Sequence, residues 1–251
     1  MKIYMKKNYI LNIPIRPETK KTILEKIKKY LQKPEGFFHI VSINPEILVQ
    51  AQNNEEYKKV LATAQIQICD GFGIVLAGKI LGIDVGERVT GVDLMEELVK
   101  LASYLDCHIA LIGGKHNLAN KLAECYNEKF HVRNFIGLEG FHDILNPTAE
   151  ETEKISSIVA DFTPQIILAS FGSPAQELWF QRNADKLQGI MCVGVGGAFN
   201  YLSGEVARPP KFIRHIGMEW LYRLIREPWR WRRQLRLFKF LYLVLKQKIT
   251  S

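Results

Sequence analysis

A chain of 251 residues with 47% hydrophobic and 24% charged composition can bury a full core but leaves no room for several large domains, so one main domain is expected. Its four cysteines, Cys69, Cys107, Cys125 and Cys192, form no CxxC pair, which fits reduced core thiols of a cytosolic protein better than disulfides or zinc. Met1 to Ile13 has lysines without a signal-length apolar run, and no stretch reaches the ~20 apolar residues of a spanning helix, so neither export nor a transmembrane anchor is expected, and the net charge of +8 calls for an anionic partner.

In chain order, apolar runs of strand length alternate with segments of helical period. FFHIVSI (37–43) is followed by a helix over 44–64, QIQICD (65–70) by one over 71–81, and a further helix is expected over 92–105. CHIALIGG (107–114) precedes a helix over 117–130, VRNFIGLEG (132–140) one over 148–162, and QIILASFG (165–172) one over 174–187, before the last strand GIMCVGVGG (189–197). Thr148 with Glu151 reads as a capping box, and Pro174 suits the start of a helix. Such alternation requires crossover connections, hence an α/β fold with a mostly parallel, Rossmann-like sheet and helices on both faces. SGEVARPP (203–210) breaks the periodicity and separates a catalytic domain, 1–202, from a C-terminal appendage, 203–251.

Open parallel sheets bind ligands beyond the carboxyl ends of their strands, so the strand-to-helix turns hold the candidates. Asp70 ends a strand before Gly71-Phe72-Gly73, where a carboxylate can act as a general base or, equally, cap the next helix. Ser173 and Gln176, in Phe171 to Gln176, sit at a helix start that could seat a diphosphate, although many ordinary βα turns look alike. Arg88, in GERVTGVDLM, could pair with a phosphate or stand idle in an exposed loop, with Thr90 and Asp93 as candidate caps. Gly194, Gly196 and Gly197 imitate a dinucleotide fingerprint, but Phe199 occupies the third glycine position, which argues against a nicotinamide enzyme. His108 reads as a packed residue. There is no DxD and no spacing of metal ligands, so metal-independent chemistry without a cofactor is expected.

The tail concentrates the charge: residues 203–251 carry 12 Lys and Arg against 3 Glu, and the other 202 residues are close to neutral. Arg223, Arg226, Arg230 and Arg233 follow one helical stripe if Pro228 is a kink or a restart. Phe238, Leu241, Tyr242, Leu245 and Ile249 follow another, apolar and flanked by basic residues, as in an interfacial helix. Solvated basic faces do not carry so many large aromatics, so an anionic membrane surface is favoured over nucleic acid as the partner; co-sedimentation with liposomes or oligonucleotides separates the two.

Ordered blocks along nearly the whole chain, SINPEILVQA (42–51), CDGFGIVLAGKILG (69–82), ERVTGVDLM (87–95), IALIGG (109–114), ASFGSPAQELW (169–179), GVGGAFNYLSGEVARPPKF (194–212) and GMEWLYRLIREPWR (217–230), resemble the WecG/TagA/CpsF glycosyltransferases, glycosyltransferase family 26, and most of all the TagA-type N-acetylmannosaminyltransferases. The resemblance implies metal-free, inverting transfer of a hexosamine, often N-acetylmannosamine, from a UDP donor to N-acetylglucosaminyl-diphospho-undecaprenol in teichoic acid or surface polysaccharide synthesis. It puts Asp70 forward as the base, makes Ser42, Asn44, Arg88, Ser173 and Gln176 donor or acceptor contacts, and makes Arg223, Arg230 and Arg233 a diphosphate clamp. Ser42 stands where Thr is more usual and keeps the hydroxyl, while GLEGFHD (137–143) departs from the family's usual G-x-H-G-[YF]. A peripheral place on the cytoplasmic face of the membrane follows; the oligomeric state, a homo-oligomer included, stays open.

Overall fold

The computed structural model describes residues 8–115, 117–215, 217–228 and 231–250. A short hairpin, β1 (Tyr9–Ile10) and β2 (Ile13–Pro14), turns through Leu11 and Asn12, both at positive φ, as two-residue hairpin loops require. Then come α1 (Lys20–Gln32), β3 (Phe38–Ile43), α2 (Pro45–Ala51), α3 (Glu55–Thr63), β4 (Ile66–Cys69), α4 (Phe72–Leu81) and α5 (Gly91–Leu105). Next are β5 (Ile109–Gly113), α6 (Leu118–Phe130), β6 (Phe135–Leu138), α7 (Ala149–Phe162), β7 (Ile166–Ser170), α8 (Ala175–Arg182) and β8 (Met191–Gly194). The chain finishes with α9 (Ala198–Leu202), α10 (Lys211–His215), α11 (Glu219–Arg226) and α12 (Trp231–Thr250).

Six strands form one parallel sheet in the order β4-β3-β8-β7-β5-β6, flanked by helices. Its register aligns Ile109 of β5 with Ile166 of β7 and Phe135 of β6, and Ile166 with Met191 of β8. The expected alternation of strands and helices is therefore present, and near-continuous apolar runs such as Ile109 to Ile112 and Ile166 to Ala169 are buried, as parallel strands covered on both faces are. Two helices are shorter than expected. Residues 44–64 form α2 and α3 because Asn54 caps a fresh start, its side chain accepting from Tyr57 N–H at 2.9 Å. α8 stops at Arg182, with Asn183 in the C-cap position and its Nδ2 donating to Trp179 O at 2.9 Å. The Thr148–Glu151 capping box is formed, Thr90 caps α5, and Pro174 takes the cap position one residue before α8.

The chain divides into two compact units. The first comprises Met1–Ile23, Ser42–Val89 and Arg208–Ser251, the second Leu24–Val41 and Thr90–Ala207. In the first, α12 packs on α2 and α4, burying Phe240 and Val244 completely and pairing Arg236 with Glu46. Gln247 accepts from Leu11 N–H at 2.8 Å and donates to Tyr9 O at 2.9 Å, which ties the hairpin to α12. In the second, Ile112, Ile155, Ile167, Trp179, Phe180 and Cys192 share a core. His39 is buried there between Phe37 and Phe180, and burial pushes its pKa down to about 3. Cys69, Cys107 and Cys192 are core thiols as expected, but Cys125 is exposed, because α6 turns Leu122, Ala123 and Tyr126 inward and leaves position 125 outside.

Candidate functional site: strand ends in each unit

In the first unit the chemistry gathers at the carboxyl end of β4. Asp70 is half-buried and its N–H donates to Ile43 O at 2.9 Å, which continues the pairing with β3 by one residue. The cap position of α4 belongs to Gly71, at φ 101°, a conformation that favours glycine. Asp70 is thus set just before the helix and is not its cap residue. Arg88 forms an isolated bridge with Cys69, and Val89 N–H donates to Cys69 O at 2.9 Å, so a loop residue is drawn alongside the strand that carries Asp70. The Cys69 thiol is pushed up to about 12 by burial, reinforced by Asp70 and opposed by Arg88.

Arg88 is engaged by the tail. Its Nη1 donates to Arg214 O at 2.7 Å and its Nη2 lies 3.5 Å from Glu219 Oε2. Phe72 packs against Gly217 so closely that a Cβ there would strike its ring. Arg223 Nε pairs with Glu227 at 3.3 Å. Ser42 is buried at the end of β3, and Asn44 caps α2, its Oδ1 accepting from Ile47 N–H at 2.9 Å. Arg230 lies outside the described residues, and of Arg233 only the backbone, within α12, is described.

In the second unit the turns after β5, β7 and β8 are joined. Gly114 N–H donates to Ser170 O at 3.0 Å, and Ser170 Oγ donates to Gly196 O at 2.5 Å. Gly172 and Gly196 face open space, with no atom within 4 Å of where a Cβ would stand. The polar side chains of the β7 turn point inward instead. Ser173 Oγ donates to Glu177 Oε1 at 2.8 Å and Gln176 Nε2 to the same oxygen at 2.7 Å, while Gln176 Oε1 accepts from Gly172 N–H at 3.2 Å. Gln176 and Glu177 are 2% and 1% exposed. A separate cleft bordered by Asn117, Asn120, Glu151 and Lys154 contains none of the candidate catalytic or substrate-binding residues, although Gly137 to Gly140 of the GLEGFHD segment line it.

The WecG/TagA/CpsF glycosyl transferase family model matches residues 8–251. This chain belongs to the WecG/TagA/CpsF family of glycosyl transferases. Among its relatives is the N-acetylglucosaminyldiphosphoundecaprenol N-acetyl-beta-D-mannosaminyltransferase of Bacillus spizizenii W23, 32% identical over 225 residues, 88% of this chain and 84% of the relative. Proteins with the same name from Bacillus subtilis 168, 26% identical over 97% of this chain and 93% of the relative, and Staphylococcus aureus MW2, 27% identical over 95% and 92%, match nearly end to end. Within the family frame, the structure brings Arg88 to the strand that ends at Asp70. It adds three residues not singled out in the sequence: Glu177, Arg214 and Glu219. Glu177 gave no signal beyond an acidic residue in a first helical turn, and Glu219 looked like one of three scattered tail acids.

Among the described residues no helix is long and apolar enough to cross a membrane.

Proposed function

We propose that this chain moves N-acetylmannosamine, or a related hexosamine, from a UDP donor to N-acetylglucosaminyl-diphospho-undecaprenol, with inversion. The observation that carries the reading is Asp70: a half-buried carboxylate at a strand end, with the cap position of the next helix held by Gly71, in a chain similar along its length to transferases named for that reaction. The Asp70 carboxylate takes the proton of the acceptor hydroxyl as its oxygen attacks the anomeric carbon. The bond from that carbon to phosphate breaks, and UDP leaves with the electron pair.

The glycine-lined turns of the second unit are proposed to hold the donor through their backbone, in a shape that Ser173 and Gln176 fix from within. Ser42, Asn44 and Arg88 flank the base, and Arg223, Arg230 and Arg233 supply charge for a diphosphate. The reaction is proposed to run without metal, on the ground that the sequence has no DxD pair to hold a divalent ion. The chain is further proposed to dock on the anionic cytoplasmic face of the membrane through α12. Trp231, Leu235, Phe238, Tyr242, Leu245 and Ile249 are exposed on one helical stripe, their spacing matches an interfacial helix, and the surrounding tail is strongly basic.

A screen of UDP sugars with a soluble N-acetylglucosaminyl diphospholipid, following UDP release, tests the assignment. Turnover should be fastest with UDP-N-acetylmannosamine. Release from no UDP sugar in the presence of that acceptor would overturn it.

A further inference from the structure

We infer that Glu177 is a positioning residue, which with Gln176 and Ser173 braces the β7 turn so that the backbone at Gly172 and Gly196 faces the donor; this rests on the donor side proposed above. A carboxylate 1% exposed is expensive to bury unless its lone pairs are used. Here one oxygen accepts from both Ser173 Oγ and Gln176 Nε2. A serine hydroxyl has one proton, and Ser173 directs it at Glu177, so it is not offered to a phosphate. Gln176 is likewise occupied at both ends of its amide: Nε2 donates to Glu177, and Oε1 accepts the Gly172 N–H. The result is a chain of hydrogen bonds from the buried carboxylate to the backbone of the turn.

The opposite wall is equally specific. At Gly194, the last residue of β8, a Cβ would collide with Gln176 Nε2 and stand 2.9 Å from Glu177 Oε1, so only glycine admits the brace. What remains facing outward is main chain, at Gly172 with φ 85° and Gly196 with φ 49°, neither with any atom near its Cβ position. Ser170 Oγ holds the second of these turns to the first. Backbone left open at these two glycines lets a ligand come close, and its shape is fixed from beneath.

UDP is the probe, with its Kd measured by titration calorimetry on full-length variants at a temperature where circular dichroism shows each to be folded. Glu177→Ala should raise the Kd about tenfold or more, and Gly194→Ala should act the same way by displacing Gln176. Glu177→Gln keeps an acceptor oxygen in place and should stay within about threefold of the wild type. Because the residues act as one unit, Gln176→Ala with Glu177→Ala should be no more than about threefold worse than the poorer single variant. If Glu177→Ala does not fold, Gly194→Ala carries the test alone. Folded Glu177→Ala or Gly194→Ala binding UDP like the wild type would overturn the inference. So would Gln176→Ala losing turnover a hundredfold with UDP affinity intact, since Gln176 would then touch the reacting groups. Wild-type protein that binds no UDP would instead overturn the donor assignment itself.

Discussion

Asp70 and Arg88 belong to different local segments, and a residue-scale reading treats them separately. Asp70 was legible because a strand-length apolar run ends on it and Gly71 follows. What holds Arg88 was not: it reaches Arg214 O across a separation of 126 residues, which no local pattern encodes. If Asp70 is the base, Asp70→Asn should lower kcat by ~10²-fold or more and leave UDP affinity within about threefold, as steady-state kinetics and calorimetry can check; turnover within threefold of the wild type would remove it from that role. His39 offers a second test. Its pKa falls from 6.5 to about 3 on burial, so the unfolded chain takes up a proton below pH 6.5 that the folded chain refuses until about pH 3. This contribution to stability is intact above pH 6.5 and is lost as pH falls through that window, by up to ~2 kcal/mol at pH 5. Urea midpoints at pH 7.5 and pH 5 should therefore diverge less in His39→Leu than in the wild type.

At the scale of elements, α12 carries two apolar faces with different work. Phe240 and Val244 are fully buried where the helix packs on α2 and α4, whereas Phe238 and Tyr242 are 63% and 64% exposed. Position 240 was absent from the stripe read in the sequence, because both faces are apolar and periodicity alone does not say which one the fold covers. Removing the helix would uncover α2 and α4, so point substitutions are the better probe of docking. Phe238→Asp with Tyr242→Asp should weaken binding to anionic vesicles by about tenfold or more with little change in Tm, since both residues are exposed. Phe240→Ala should do the reverse, costing ~3–5 kcal/mol of stability. Flotation assays and thermal melts distinguish the two; equal loss of vesicle binding with either would show that the exposed stripe has no special role.

At the scale of the whole molecule, the charge is divided along the chain, with a net +9 in residues 203–251 and near neutrality elsewhere. Attraction of ~1 kcal/mol per basic residue near an anionic surface is screened within a Debye length of ~8 Å at physiological salt. Vesicle binding should therefore fall steeply between low and high salt on anionic lipid and should be weak on neutral lipid at any salt. A chelation experiment belongs at the same scale. Turnover should survive excess EDTA, and loss restored by Mg²⁺ or Mn²⁺ would reveal a metal requirement.

The sequence by itself determined the alternation of strands and helices, the Thr148 cap with its Glu151 partner, the strand end at Asp70 and the basic tail, because each is written in periodicities and neighbours a few residues apart. Tertiary structure alone decided which face of α12 is covered, that Arg88 is held by Arg214 and Glu219, and that Gln176 and Ser173 turn inward to Glu177. Those outcomes depend on which distant segments compete for the same hydrogen-bonding groups and the same apolar surface, and a buried carboxylate takes its donors from whatever packing brings within reach.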